Sequence, residues 1–155
     1  MRISVVITTF NRPDYLKLSL QSAIDQLYEA FEIIIIDDNS TADYTEVLGC
    51  FNENDIQYVK RDVSGGANVA RNFGVSIANG DIVAFLDDDD SWHPNYFEEC
   101  MKTLQSFKVD MVASGFNRIE NNCLSPIQTQ APAKLEASLF LTGNPGIQGS
   151  NLFLR

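Results

Sequence analysis

Residues 82–90 read Ile-Val-Ala-Phe-Leu-Asp-Asp-Asp-Asp. An apolar run of this length, set off by Asn79-Gly80, predicts a strand buried on both faces, and four carboxylates close it. Residues 31–40, Phe-Glu-Ile-Ile-Ile-Ile-Asp-Asp-Asn-Ser, repeat the arrangement, switching abruptly from isoleucine to acidic, turn-forming side chains. Residues 3–9, Ile-Ser-Val-Val-Ile-Thr-Thr, form a third such run and lead into Phe10-Asn11-Arg12. A shorter strand is predicted at residues 56–61.

Between these runs the period becomes helical. Leu16, Leu20, Ala23, Ile24 and Leu27 fall on one helical face after Pro13 and Asp14, which suit a first turn. Thr41 is a candidate cap for a helix with Tyr44, Leu48 and Phe51 on one side. Ala70, Phe73 and Ile77 place a third helix after Gly65-Gly66, and Phe97, Cys100, Met101 and Leu104 a fourth after Pro94. Residues 109–116 read as a fifth strand. Periodicity lapses over residues 121–134, residues 135–141 suggest a short helix, and residues 143–146 a turn. Residues 152–154 begin a last strand, so the expected domain is C-terminally truncated. Strands alternating with helices predict an α/β domain of three layers, α/β/α, with a mostly parallel central sheet and right-handed crossovers.

The 155 residues suffice for one domain with a real core. Eleven basic against 21 acidic side chains give a net charge of −10, which repels nucleic acid and makes a polyphosphate ligand depend on a cation. No apolar stretch approaches a membrane span and no signal-peptide layout opens the chain. The three cysteines, Cys50, Cys100 and Cys123, form no CxxC pair and read as ordinary thiols.

Ligands of parallel sheets sit beyond the carboxyl ends of the strands, so residues 8–12, 37–38 and 87–90 are expected to line one crevice. An isolated acidic run is ordinarily a solvated turn. Here, two like charges ~4 Å apart repel by roughly 4 kcal/mol at an effective dielectric near 20, and a divalent cation relieves that repulsion. Mg²⁺ and Mn²⁺ take hard oxygen ligands, often one or two carboxylates with phosphate and water. Alternation along an extended segment would put Asp87 and Asp89 on one side and Asp88 on the other. Asp38 is poised to accept a ligand N–H or receive a cation, whereas Asp37, Asn39 and Ser40 also suit a cap. Gly65-Gly66 ahead of Arg71 and Asn72 offers amides, a helix dipole and a guanidinium to phosphate; pairing of Arg71 with an aspartate is the alternative. His93 reads as a helix-opening residue, and Trp92, Tyr96 and Phe97 as packing.

In this order the clusters resemble the nucleotide-sugar-binding part of family 2 glycosyltransferases with the GT-A (Rossmann-like) fold. The matching segments are VVITTFNRPDYL (5–16), IIIIDDNS (33–40), GGANVARNFGVSIANGDIVAFLDDDDSWHP (65–94) and, more weakly, GIQGSNLFLR (146–155). The resemblance implies that Thr8, Phe10 and Asn11 surround a nucleotide base, with Thr9 and Arg12 in the same donor-binding segment. It implies that Asp38 accepts from the base N–H, most often uracil, and that Gly66, Arg71 and Asn72 lie beneath the nucleotide. Residues 87–89 resemble a DxD-type site, with Asp89 and Asp87 as ligands of Mn²⁺ or Mg²⁺ and Asp88, beside Asp87, toward the ribose.

The implied activity is inverting transfer from a nucleotide-diphospho-sugar, a UDP-sugar foremost. The acceptor is a saccharide or lipid-linked hydroxyl, and the setting polysaccharide or glycoconjugate synthesis. Residues 1–116 are expected to form the nucleotide-binding half of a single domain and residues 117–155 the start of the acceptor half. The catalytic base is expected beyond Arg155. The expected location is cytoplasmic, with peripheral attachment to the inner membrane open for a longer protein. A receiver-like phosphoacceptor domain and a non-catalytic nucleotide-sugar binder are the alternatives.

Overall fold

A computed structural model describes residues 1–51, 56–120, 123–130 and 148–155. In chain order the elements are β1 (Ile3–Thr9), α1 (Pro13–Ile24), β2 (Glu32–Asp37), α2 (Thr45–Gly49), β3 (Ile56–Lys60), α3 (Ala67–Ile77) and β4 (Ile82–Asp87). They continue with α4 (Tyr96–Phe107), β5 (Met111–Ala113), β6 (Phe116–Glu120), β7 (Cys123–Thr129), a 3₁₀ turn (Gly149–Asn151) and β8 (Leu152–Leu154). Six strands form one sheet in the order β3-β2-β1-β4-β8-β5. β1 to β4 pair in parallel, and β8 runs antiparallel between β4 and β5. β6 and β7 form a separate antiparallel ribbon.

The alternation of side chains across the central strands builds a core on each face. Ile3, Val5 and Ile7 of β1, with Ile33 and Ile35 of β2, pack against Leu16 and Leu20 of α1 and Phe97 and Leu104 of α4. Val6, Ile34, Ile36 and Phe85 face the other way, onto Ala70 of α3. The three-layer expectation therefore holds, with a thicker layer on the α1 and α4 side. Trp92, Tyr96 and Phe97 pack within that thicker core, Trp92 stacked on Tyr96 with ring centroids 4.9 Å apart and edge-on to Phe97. His93 precedes α4.

Several local expectations are corrected. Leu27 lies past the end of α1 and is exposed, because the helix stops at Ile24. Phe73 is exposed as well; Gly74 takes the inward position, where an added Cβ would stand 2.4 Å from Val6 Cγ1. α2 is shorter than predicted, and Thr41 does not cap it: Thr41 donates to Asn11 Oδ1, while Asp43 Oδ1 accepts the Thr45 N–H. The strand expected at residues 109–116 divides into β5 and the start of β6. β7 has no counterpart in the sequence reading. The short helix at residues 135–141 and the turn at residues 143–146 lie outside the described residues.

Candidate functional site

Parallel pairing places Thr8 beside Asp87 and Thr9 beside Asp37 at the carboxyl edge of the sheet. A cleft of about 560 Å³ opens there, with Thr8, Thr9, Phe10, Arg12, Asp38, Gly66, Arg71, Asp87, Asp88 and Asp89 in its wall. Three stretches more than 25 residues apart in sequence thus meet, together with the loop ahead of α3. Asn11 and Asn72 stand outside that wall. Asn11 adopts a left-handed φ of 56° and uses its carboxamide oxygen to accept from Thr41 and Ala42 amides, clasping the β1 and β2 loops together. Asn72 is exposed on α3.

Asp38 is buried and organises the loop above it. Its carboxylate accepts from Ser64 Oγ at 2.7 Å, Gly66 N at 2.7 Å, Gly65 N at 3.0 Å and the Arg61 guanidinium. Burial on its own would raise the carboxyl pKa, but these bonds outweigh it and hold the group below the ordinary carboxylate range. Gly66 turns the chain into α3 at φ 82°, a conformation that side chains other than hydrogen adopt only with strain. Asp37 is wholly buried and structural, accepting from Ser40 N at 2.8 Å and Tyr58 Oη at 2.6 Å.

The aspartate run is braced by two arginines. Arg71 Nη2 reaches Asp87 Oδ1 at 2.5 Å, the pairing left open by the sequence. Arg12 Nη1 lies 2.8 Å from Asp89 Oδ2 and 3.4 Å from Asp88 Oδ1. The two carboxylates raise the Arg12 pKa further, Asp88 most. Alternation does not continue through the run: β4 ends at Asp87, the chain turns, and Asp88 and Asp89 share Arg12 while Asp87 takes Arg71. Asp88 is buried, which pushes its pKa up against the opposing hydrogen bond from Thr9 and the charge of Arg12. Burial likewise raises Asp90.

Four contributors escaped the sequence reading. Ser64 lines the cleft, and Arg61 reaches Asp38 from the end of β3. Ser150 Oγ accepts the Asp87 N–H at 2.8 Å, while its carbonyl accepts Trp92 Nε1 at 2.7 Å. Gly149 lies so close to Arg71 that an added Cβ would meet the guanidinium at 2.7–2.9 Å. The weaker GIQGSN similarity was the available signal for these last two.

Residues 4–151 match glycosyl transferase family 2, and the chain belongs to that family. It is 33% identical over 151 residues to an uncharacterised glycosyltransferase of Nostoc, covering 93% of this chain and 47% of that one. It is 38% identical over 107 residues to WfaP of Escherichia coli, covering 69% and 43%; that protein is named a UDP-Glc:α-D-GlcNAc-diphosphoundecaprenol β-1,3-glucosyltransferase. The chain thus spans less than half the length of these relatives. Crystallised Staphylococcus aureus TarS 1–349 superposes on all of this chain and 47% of its own length, with TM-score 0.75 and 22% identity. A Pyrobaculum calidifontis mannosyltransferase, solved with GDP-Man and Mn²⁺, superposes over 76% and 36% with TM-score 0.67 and 22% identity. The fold is GT-A, an α/β fold with a mostly parallel central sheet.

Proposed function

We propose that this chain carries the donor-binding part of an inverting glycosyltransferase that uses a nucleotide-diphospho-sugar, a UDP-sugar foremost. Transfer would be to a saccharide or lipid-linked hydroxyl in polysaccharide or glycoconjugate synthesis. The observation that carries this reading is the convergence of the β1, β2 and β4 ends with the Ser64-Gly65-Gly66 loop around one cleft. In support, S. aureus TarS has been solved with UDP and with UDP-GlcNAc, and WfaP is named for UDP-Glc. Family membership and the GT-A fold set aside a receiver-like domain. Residues 1–116 are proposed as the nucleotide half and residues 117–155 as the start of the acceptor half, with the acceptor-activating base assigned to none of them.

In this reading the base lies over Thr8 and Phe10 near Asp38, which must share its carboxylate between the base N–H and the loop donors. The first turn of α3, from Gly66 to Arg71, offers amides and a guanidinium to phosphate. Asp88 faces the ribose. A divalent cation, Mn²⁺ or Mg²⁺, would be held by Asp87 and Asp89 together with donor oxygens and water. The donor set fits: hard carboxylate oxygens gather at one strand end, and Arg12 and Arg71 already draw them around positive charge. Among the described residues no cluster of three or more His, Cys, Asp or Glu is arranged to hold a metal; in this proposal donor phosphate and water would complete the shell. When bound, the cation supplies charge neutralisation to the departing diphosphate.

Among the described residues no helix is long and apolar enough to cross a membrane. Membrane-peripheral, cytoplasmic action is part of the proposal only through the lipid-linked acceptor of the WfaP name. A thermal-shift series with UDP, GDP and dTDP, each in Mn²⁺ and in EDTA, tests the reading. The largest stabilisation is expected with UDP and Mn²⁺. A melting temperature unmoved by any of the three nucleotides would overturn it.

A further inference from the structure

The hydroxyl of Tyr44 sits where three segments cross behind the cleft. Tyr44 is 3% exposed, and Oη receives the Arg12 N–H at 3.0 Å, with Thr9 Oγ1 at 2.9 Å and Ser40 Oγ at 3.3 Å. The direction of each bond follows from donor supply. Thr9 Oγ1 gives its proton to Asp88 Oδ2 at 2.8 Å, since an ionised carboxylate only accepts. Tyr44 therefore donates to Thr9. Ser40 Oγ accepts the Asn11 N–H at 2.8 Å, so its own proton is the one that turns to Tyr44. Both lone pairs and the proton of Tyr44 are thereby used, in an ordered chain from Ser40 through Tyr44 and Thr9 to Asp88.

The same hydroxyl holds the Arg12 backbone, and the Arg12 guanidinium spans Asp88 and Asp89. Tyr44 itself does not line the cleft. We propose that Tyr44 is a positioning residue of the donor site, fixing Asp88 and Arg12 relative to each other from behind. This rests on the reading of the cleft as the donor-nucleotide site. A tyrosine so placed is invisible to periodicity, which assigns it only an inward face. Its ring packs 5.8 Å from that of Tyr58, so removal of the hydroxyl leaves the packing in place.

Tyr44→Phe is the test, with UDP and Mn²⁺ as the calorimetric probe and amide hydrogen exchange at Arg12 as a ligand-free readout. The expected result is roughly 5- to 30-fold weaker UDP binding with cooperative melting retained, and faster exchange at Arg12. The loss should shrink in an Asp88→Ala background, because Asp88 receives the chain. Unchanged UDP affinity, or an equal loss with and without Asp88, would overturn the proposal. Should Tyr44→Phe fail to fold, Thr9→Val cuts the same chain at its last link: a comparable loss supports the proposal and an unchanged affinity overturns it. A wild-type chain that binds no nucleotide would overturn the donor-site reading instead. Arg12 exchange would then decide the Tyr44 contact alone, and a rate unchanged in Tyr44→Phe would overturn it.

Discussion

Asp38 and Gly149 each tie the cleft to a segment distant in sequence. Because the hydrogen bonds on Asp38 depress its pKa below the ordinary 3.8, the stability it contributes is present above that value. That stability is lost as pH falls through the lower folded value. Asp38→Asn should cost about 1 to 3 kcal/mol at pH 7, read by urea unfolding, and the gap to wild type should close below pH 3.8. Asp88 and Asp90 shift upward and act in the opposite sense, but they are common to both proteins and cancel in the comparison. A gap independent of pH would show that Asp38 does not hold the loop as a carboxylate. At Gly149, an alanine methyl would press on the Arg71 guanidinium and displace it from Asp87. Gly149→Ala should weaken UDP binding about tenfold, and the penalty should fall in an Arg71→Lys background, which lacks the planar group. An undiminished penalty there would trace the effect to something other than Arg71.

Among the elements, α3 is held to the sheet by the absence of a side chain. Gly74 lets the helix approach Val6 and Ile36, and Gly74→Ala should destabilise the fold by about 1 to 3 kcal/mol because Val6 is fully buried and has no room to yield. Chemical denaturation measures this directly, and a neutral substitution would show that α3 can lift away freely. On the inward face of α3, Ala70 and Ile77 lie where periodicity expects them, and Phe73 alone does not. Periodicity counts apolar side chains and so overlooks Gly74, which contributes contact without one. The strands β1, β2 and β4 were legible because burial on both faces demands unbroken apolar runs, and their ends were legible because those runs stop at polar residues. β7 was not, since Pro126 interrupts its strand signal. In the candidate site, Thr8, Thr9, Phe10, Arg12, Asp38 and residues 87–89 were legible by their position at strand ends, whereas Asn11 and Asn72 fall outside the cleft wall. Tyr44, Ser64, Gly149 and Ser150 act through contacts that only the folded chain creates.

For the molecule as a whole, the decisive quantity is charge. The chain carries a net charge of −10, and four aspartates against two arginines line the cleft. A bare diphosphate entering there meets repulsion that arginine pairing only partly relieves. β8 runs antiparallel between β4 and β5, and the turn before it brings Ser150 of the last described segment onto the acidic end of β4. On the proposed function, this cleft receives a donor nucleotide together with a divalent cation. Calorimetric titration of UDP into the chain, in Mn²⁺ and then in EDTA, tests it most directly. Saturable binding at one site is expected in Mn²⁺, and binding at least about tenfold weaker in EDTA. A folded chain that shows no saturable binding of UDP, GDP or dTDP in Mn²⁺ would contradict it.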